Sequence, residues 1–271
     1  MIAVEWREEA VVRAWRALDT MRGAPWPYCV ATFHRVWDGS RDELSYPPAV
    51  FAELCRYWRD HYEVLSLDRL LARLAHGDPG SHATLAITFD DGYADNAEIA
   101  APILDALDLP ATFFVTTGYI GTERRFPWDA TLPVRPRMMS WAQVRELHQA
   151  GFGIGAHTVS HPRLSALAAP ELDLELGSSK KRLEAELGEE IVDFAFPFGQ
   201  PSDCGAAAAE AVRRAGYRCC LACAGGLIDA GDSPFALRRV CVSPNFHATP
   251  SAWARYFAGQ RWRFRPASRA A

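Results

Sequence analysis

Two short stretches of the chain combine residue types that bind metals and transfer protons, and the first is a pair of carboxylates. Asp90 and Asp91 follow the apolar run 85–89 and precede Gly92. Neighbouring strand residues point in opposite directions, so one carboxylate can face a metal while the other faces a substrate or a water molecule. Two acids at the end of a buried strand cost free energy unless a metal, a positive partner or a proton compensates them. The alternative is an ordinary Asp-Gly turn at a strand end.

The second stretch contains two histidines, His157 and His161, directly after the apolar run 152–156 and before Pro162. A spacing of four residues places two side chains on one face of a helical turn. Two imidazoles at this spacing can bind one metal ion. Together with one carboxylate they predict a two-histidine, one-carboxylate site with open positions, which suits zinc, cobalt, nickel, manganese or iron(II).

The composition is that of a globular protein with enough residues for one large core. The chain has 271 residues, of which 49% are hydrophobic and 23% charged, and its net charge of −4 does not suggest a nucleic-acid binder. No apolar stretch approaches the roughly 20 residues that span a bilayer. Residues 1–24 mix charged and apolar side chains, which predicts an amphipathic covering helix and not a signal peptide. The seven cysteines are odd in number and have spacings untypical of disulfides. The N-terminal pattern and the cysteines together favour a protein of the reducing cytoplasm.

Strand and helix patterns alternate along the chain, which predicts an α/β fold built on a parallel sheet or barrel of about seven strands. The predicted strands cover residues 28–33, 85–89, 110–115, 152–156, 191–196, 217–222 and 235–242. The predicted helices cover residues 48–61, 69–75 (capped by Asp68), 93–108, 141–150 (capped by Ser140), 170–187, 205–215 and 250–257. The polar residues follow the strands, where such barrels carry their catalytic residues. The irregular stretch 116–139 is long enough to be functional or mobile, and we expect one domain over residues 1–271.

Taken together, the segments Thr88-Phe-Asp-Asp-Gly92 and His157-Thr-Val-Ser-His161 resemble two motifs of the polysaccharide deacetylases with NodB homology, carbohydrate esterase family 4. The resemblance covers residues 28–242 and implies the distorted (β/α) barrel of that family. It also implies one divalent metal ion, zinc first, with cobalt, nickel or manganese as alternatives. By the same resemblance Asp90 is the catalytic base, and the metal ligands are Asp91, His157 and His161.

Two family features differ in this sequence. Ala195 stands where the third motif has an arginine that orients the base, and Arg238 or Arg239 is a candidate to replace it. The general acid of the family is usually a histidine near the C-terminus. A branch resembling the poly-N-acetylglucosamine deacetylases carries it near the N-terminus, as His34 would be here, while His247 is the alternative.

The resemblance implies hydrolysis of the acetyl group from an N-acetylated sugar, in a glycan, an oligosaccharide or a lipid- or nucleotide-linked precursor. We assign substrate contacts to Pro197, Phe198, Trp141 and Arg239, although core packing is the alternative for the aromatic residues, including Phe196. Two other functions stay open: hydrolysis of a non-sugar C–N amide bond on the same fold, and carbohydrate binding without catalysis.

Two further sequence features are not explained by the resemblance to this family. The basic and aromatic tail 261–271 could contact lipid headgroups at a membrane surface, although a solvated or packed terminus is the alternative. Cys220 and Cys223 have the spacing of a zinc-binding pair, but no second pair accompanies them, so we expect free thiols. The sequence makes no prediction of oligomeric state.

Overall fold

A computed structural model describes residues 27–39, 42–78, 82–247 and 249–263 of the chain. The predicted covering helix over residues 1–24 lies outside the described residues, as do residues 264–271 of the predicted tail. Within the described part, no helix is both long and apolar enough to cross a membrane.

The centre of the protein is a sheet of nine strands in which every described pairing between strands is parallel. These strands are β1 (Tyr28–Phe33), β4 (Glu63–Val64), β5 (Thr84–Phe89), β6 (Ala111–Val115), β7 (Gly153–Ala156), β8 (Asp193–Ala195), β9 (Cys219–Ala222), β10 (Leu237–Arg238) and β11 (Val240–Cys241). The short strands β2 (Arg35–Val36) and β3 (Ser45–Tyr46) pair with each other outside this sheet.

The sheet nearly closes into a barrel through the last strand segment. The strands follow the order β10-β9-β8-β7-β6-β5-β1-β11, with β4 beside β5. Only Arg239 separates β10 from β11, so one short segment pairs with β9 through its first half and with β1 through its second half. The strand predicted as continuous over 235–242 is therefore divided at Arg239. If β10 and β11 are counted as one strand and β4 is set aside, the barrel has seven strands. This confirms the predicted (β/α) barrel.

Helices connect the strands and cover the barrel. They are α1 (Pro48–His61), α2 (Leu67–His76), α3 (Ala101–Asp105), α4 (Trp141–Gln149), α5 (Ala169–Leu187), α6 (Ala206–Arg214) and α7 (Pro250–Arg263). The helix predicted over 93–108 forms over residues 94–105, and it contains a π-helical stretch, Asn96–Ala100, directly before α3. Pro102 lacks the N–H group that a regular helix would use here, which accounts for the irregular turn. Ser66, and not Asp68, caps α2 by accepting a hydrogen bond from the N–H of Arg69.

The barrel strands are buried on both faces, as parallel strands between helices and a filled interior must be. On the helix-facing side, the rings of Phe33 and Phe113 stack on Phe89 at 5.4 and 4.8 Å. On the interior side a second set of apolar residues packs together with residues of α2: Tyr28, Val30, Leu65, Ala86, Phe114, Ala195, Cys219, Leu221, Ile228 and Leu237. The polar residues that end these strands are thereby held on a rigid frame at one end of the barrel.

Candidate metal centre and active site

Asp91, His157 and His161 come together at the ends of β5 and β7. Oδ1 of Asp91 lies 3.5 Å from Nε2 of His157 and 3.3 Å from Nε2 of His161. One ligand atom from each of the three side chains lies within 4.8 Å of the others, and no second such cluster occurs among the residues that the structure describes. The three predicted ligands are thus placed where a single ion could contact all of them.

The predicted helical turn between the two histidines is wrong. The segment after β7 is a loop, in which Thr158 and His161 adopt the left-handed conformation with φ of 67° and 59°. Asp91 is also left-handed, with φ of 74°. Such conformations cost roughly 1–3 kcal/mol each in non-glycine residues and collect at functional sites, where the surrounding structure enforces them.

Glu175 of α5 supplies part of that enforcement. Its Oε2 accepts hydrogen bonds from the N–H groups of Val159 and Ser160 at 2.8 and 2.9 Å, and its Oε1 accepts from the hydroxyl of Ser160 at 2.5 Å. Inside the loop, the hydroxyl oxygen of Thr158 accepts from the N–H of His161 at 2.9 Å. A carboxylate from a neighbouring helix therefore fixes two of the three residues between the histidines.

The protonation states of these side chains suit cation binding. Nδ1 of His157 donates to the carbonyl oxygen of Ala195 at 2.8 Å in the tautomer that leaves Nε2 free towards Asp91. Burial lowers the pKa of His157 to about 4, so its imidazole is neutral at neutral pH. Burial raises the pKa of Asp91, but interactions with His161, His34 and His157 outweigh burial and bring that pKa to about 2.

The buried atoms of this cluster lack the hydrogen bonds that would satisfy them. Both carboxylate oxygens of Asp91 and Nδ1 of His161 are buried without a partner of good geometry. An ionised carboxylate without compensation is costly in a protein interior. One carboxylate oxygen and two imidazole nitrogens are a donor set that suits zinc and neighbouring divalent transition metals. The residues present therefore fit a divalent metal ion.

Asp90 is held by an arginine from the last strand segment, which is separated from β5 by β1 alone. Arg239 donates to Oδ1 and Oδ2 of Asp90 at 2.8 and 2.6 Å, and also to the hydroxyls of Thr32 and Thr88 at 3.1 and 3.3 Å. Burial raises the pKa of Asp90, but the charge and hydrogen bonds of Arg239, together with the charges of His157 and His34, outweigh burial and lower that pKa. Asp90 and Arg239 are both buried, so the substrate contact predicted for Arg239 is replaced by a contact with the carboxylate. Arg238 pairs with Asp232 at 2.7 Å instead.

The two histidines considered as proton donors have different surroundings. His34 follows β1, whose last carbonyl, from Phe33, accepts a hydrogen bond from the N–H of Asp90 at 2.9 Å. His34 is partly exposed, and it lies beside Asp90 because Phe33 and Phe89, the residues before them, are paired in register. The charge of His34 lowers the pKa of both Asp90 and Asp91.

His247 lies against the aromatic residues of α7. Its ring centroid is 4.6 Å from that of Tyr256 and 5.6 Å from that of Trp253, and its Nδ1 accepts from the N–H of Ser243 at 3.2 Å. Burial lowers the pKa of His247 to about 4. A histidine that is neutral at neutral pH is a poor proton donor, so the surroundings favour His34 for that role.

Of the predicted wall residues, Phe198 lies beside the metal-ligand candidates. Its ring centroid is 4.7 Å from that of His161, its side chain is 37% exposed, and its φ of 61° holds it in the left-handed conformation. Pro197 is buried in the preceding turn, and Phe196 packs in the core as its alternative interpretation predicts. Trp141 packs against the core under the guanidinium of Arg182, so its described contacts do not connect it with the site.

Sequence reasoning missed a second aromatic wall, formed by the irregular stretch 116–139. The ring of Trp128 lies 5.0 Å from that of His161 and 5.9 Å from that of Phe198. Nε1 of Trp128 donates to the hydroxyl of Tyr93 at 3.0 Å, and that hydroxyl donates to Asp129 at 3.0 Å. The available signal was the length of this irregular stretch between two barrel strands, which is typical of a functional loop.

Residues 77–220 match the family model described as Polysaccharide deacetylase. The polysaccharide deacetylase homologue YxkH of Bacillus subtilis (strain 168) is 25% identical over 256 residues, which cover 94% of this chain and 83% of YxkH. The Poly-beta-1,6-N-acetyl-D-glucosamine N-deacetylase of Escherichia coli (strain K12) is 26% identical over 158 residues, which cover 55% of this chain but 24% of that protein.

Among solved structures, the deacetylase PplD of Streptococcus pyogenes, in complex with acetate, superposes with a TM-score of 0.70 at 21% identity. The superposition covers 86% of this chain and 98% of that chain, and it shows that the two share a fold. The family model spans more than half of this chain and contains Asp90, Asp91, His157 and His161, so the chain belongs to the polysaccharide deacetylase family.

Proposed function

We propose that this protein is a metal-dependent hydrolase that removes acetyl groups from an N-acetylated sugar. The observation that carries the proposal is the convergence of Asp91, His157 and His161 within reach of one ion, next to the ion-paired Asp90. Family membership supports sugar deacetylation, and the name of the Escherichia coli relative points to an N-acetylglucosamine polymer as the first substrate to test.

Asp91, His157 and His161 would hold the divalent ion. When bound, such an ion acts as a Lewis acid towards a carbonyl oxygen and lowers the pKa of water. The left-handed loop and the bond between His157 and the carbonyl of Ala195 orient both imidazoles before the ion arrives. That preorganisation avoids a rearrangement during binding and catalysis.

Asp90 is the proposed general base. Its pKa is lowered by Arg239, so the carboxylate is ionised at neutral pH and ready to accept a proton from the attacking water. The guanidinium occupies one lone pair on each oxygen, which fixes the direction of the remaining lone pairs. Arg239 therefore orients the base and does not itself touch the substrate.

His34 is the proposed general acid. Hydrolysis of an amide must protonate the leaving nitrogen, because an amide anion is a poor leaving group. His34 stands at the end of β1, partly exposed, beside the carboxylate pair. A protonated His34 would deliver a proton to the amine as the C–N bond breaks, and acetate and a free amino sugar would leave.

Phe198 and Trp128 are the proposed walls for the substrate. Their rings lie 5.9 Å apart at an angle of 72°, and both lie beside His161. Aromatic faces present apolar surface that suits the C–H face of a sugar ring and an acetyl methyl group. The substrate amide would then lie between these rings and Asp90.

The test is acetate and free-amine release from N-acetylglucosamine oligomers with β-1,6 and β-1,4 linkages, with metal content measured on the same preparation. We expect release that a chelator abolishes and zinc or cobalt restores. Asp90→Asn should abolish acetate release while the protein retains its metal. Asp91→Asn should abolish both acetate release and metal binding. The exposed residue Asp105 provides a matched control, Asp105→Asn, with release unchanged. Metal binding with hydrolysis only of cyclic amides, or with no hydrolysis at all, would replace the proposal by one of its alternatives.

A further inference from the structure

Two cysteines lie on either side of the arginine that holds Asp90, and the mechanism above uses neither. Cys223 directly follows β9, and Cys241 ends β11. Nη2 of Arg239 donates to Sγ of Cys223 at 3.7 Å, and the N–H of Arg239 donates to the carbonyl oxygen of Ala222, directly before Cys223. Cys241 lies two residues after Arg239, and its thiol interacts with that of Cys223. The N–H of Gly225 also bonds the carbonyl oxygen of Arg239 at 3.1 Å, so the backbone after Cys223 is tied to the arginine.

This pair differs from the other cysteines in exposure and environment. Cys241 is exposed and Cys223 is half-buried. The interaction with Cys223, together with burial, raises the pKa of Cys241, and burial raises the pKa of Cys29, Cys55, Cys204, Cys219 and Cys220. The hydrogen bond from Cys241 and the charge of Arg239 lower the pKa of Cys223. The thiolate is the reactive form of cysteine, so the geometry concentrates reactivity at one thiol with a second thiol in contact.

We propose that Cys223 and Cys241 are an oxidation site, at which a hydroperoxide converts two neighbouring thiols into a disulfide beside Arg239. The contact between the thiols, the guanidinium next to Cys223 and the exposure of Cys241 carry this assignment.

The oxidation proceeds in two steps. The thiolate of Cys223 attacks one oxygen of the hydroperoxide and the O–O bond breaks, which gives a sulfenic acid on Cys223 and water or an alcohol. The thiol of Cys241 then attacks the sulfenic sulfur, the S–O bond breaks, and the hydroxyl leaves as water with the thiol proton. Two thiols are oxidised and one peroxide is reduced.

Oxidation would change the surroundings of Arg239. A disulfide requires the two sulfur atoms to approach to about 2.05 Å, so Cys223 Sγ must move towards Cys241 and its contact with Nη2 of Arg239 is altered. Because Arg239 lies two residues before Cys241 and is tied to the segment after Cys223, the guanidinium shifts relative to Asp90. This consequence rests on the proposed function, and we expect oxidation to lower acetate release on the order of 10-fold to 100-fold.

The first experiment does not depend on activity. The purified protein is treated with hydrogen peroxide from equimolar to tenfold excess, free thiols are blocked, and peptides are analysed by mass spectrometry without reduction. We expect a Cys223–Cys241 cross-link to form before any other cysteine is modified, and dithiothreitol to reverse it. In Cys241→Ser, dimedone should trap a sulfenic acid on Cys223.

Cys204 is the matched control, because it is half-buried and its charge interacts with Cys223. Cys204→Ser should form the same cross-link as the unmodified sequence. Preferential oxidation of Cys204, a Cys204–Cys223 disulfide, or a pair that stays reduced at tenfold excess would overturn the proposal.

The second experiment measures acetate release before and after peroxide treatment. We expect peroxide to lower acetate release by the unmodified protein and dithiothreitol to restore it. In Cys241→Ser peroxide should not lower acetate release, and the activity before treatment should equal that of the unmodified protein. A cross-link without loss of release would overturn the coupling to Arg239. A protein that forms the cross-link but releases acetate under no condition would contradict the proposed function and leave the oxidation site in place.

Discussion

Arg239 donates a hydrogen bond to each carboxylate oxygen of Asp90, although the two residues are 149 positions apart in the chain. The contact depends on the division of the last strand segment, since Arg239 occupies the gap between β10 and β11 where pairing changes from β9 to β1. Ala195 occupies the position at which the family motif has its arginine, and its carbonyl oxygen instead orients His157. Another strand thus supplies the charge that the third motif lacks.

Replacing Arg239 should separate the effect of its charge from that of its fork geometry. Arg239→Lys keeps the charge but loses the bidentate contact with Asp90. We therefore expect kcat/KM to fall about 100-fold, while the acid limb of the profile of kcat/KM against pH changes little. Arg239→Met removes the charge, leaving burial to raise the pKa of Asp90. Because the ionised carboxylate is the active form, activity falls as pH drops through this pKa, and the acid limb should move to higher pH. Kinetics across pH 4–9 measure both effects.

Arg238→Lys is the matched control for these variants, since the neighbouring side chain pairs with Asp232 outside the site. Removing one member of a buried ion pair typically costs about 3–5 kcal/mol of stability, so thermal unfolding and zinc content must accompany the kinetics. An acid limb that stays in place in a folded, zinc-loaded Arg239→Met protein would contradict the role assigned to the pair.

Glu175 should control metal affinity without touching the metal. Glu175→Ala removes three hydrogen bonds from the loop between His157 and His161, so the left-handed conformations lose their support. We expect zinc affinity, measured by competition with a chromogenic chelator, to fall about 10-fold to 100-fold. Glu175→Gln keeps an acceptor for the backbone N–H groups and should show a smaller loss.

The exposed residue Asp173 lies on the same helix and gives the control Asp173→Asn, for which we expect unchanged zinc affinity. If Glu175→Ala lowered thermal stability but left zinc affinity unchanged, the carboxylate would be a fold determinant and not a positioning residue.

The sequence predicted well those features that depend on local pattern and on parallel topology. The strand Tyr28–Phe33 and the helix Pro48–His61 have the predicted bounds. Asp91 and His157 meet because parallel strands end at the same rim of a barrel, which follows from the alternation of strands and helices alone. That convergence required no knowledge of side-chain contacts.

Features that depend on distant partners were not accessible in the same way. The left-handed turn at His161 is stabilised by Glu175, which belongs to a later helix, so the spacing of the histidines suggested a helical turn that does not form. The position of Trp128 depends on how an irregular loop folds back over the barrel end. Trp141 was predicted to contact the substrate but packs against the core. Its aromatic character predicts burial but not which surface it covers.

Substitution of the two histidines should decide which one donates the proton. His34→Asn removes the group beside the carboxylate pair, so we expect kcat to fall about 10²-fold to 10⁴-fold with zinc affinity retained. His247→Asn keeps an acceptor for the N–H of Ser243 and should leave kcat within about twofold to threefold of the original, because the described ring contacts of His247 are with Phe246 and α7 and not with the carboxylates. The reverse ranking of the two kcat values would assign the proton to His247.

His247 should instead affect how stability depends on pH. The pKa of His247 is about 4 in the folded protein, against an ordinary value of 6.5. Between pH 4 and pH 6.5 the native state therefore binds fewer protons than the unfolded state. Stability from this group is therefore complete above pH 6.5 and is lost as pH falls towards 4, by about 3 kcal/mol for a side chain that is almost fully buried. Urea unfolding of the chelator-treated protein at pH 4.5 and 7.0 measures the difference. His247→Asn should lose stability at pH 7.0 but show a smaller difference between the two pH values, and parallel behaviour of the two proteins would show that the imidazole titrates normally in the folded state.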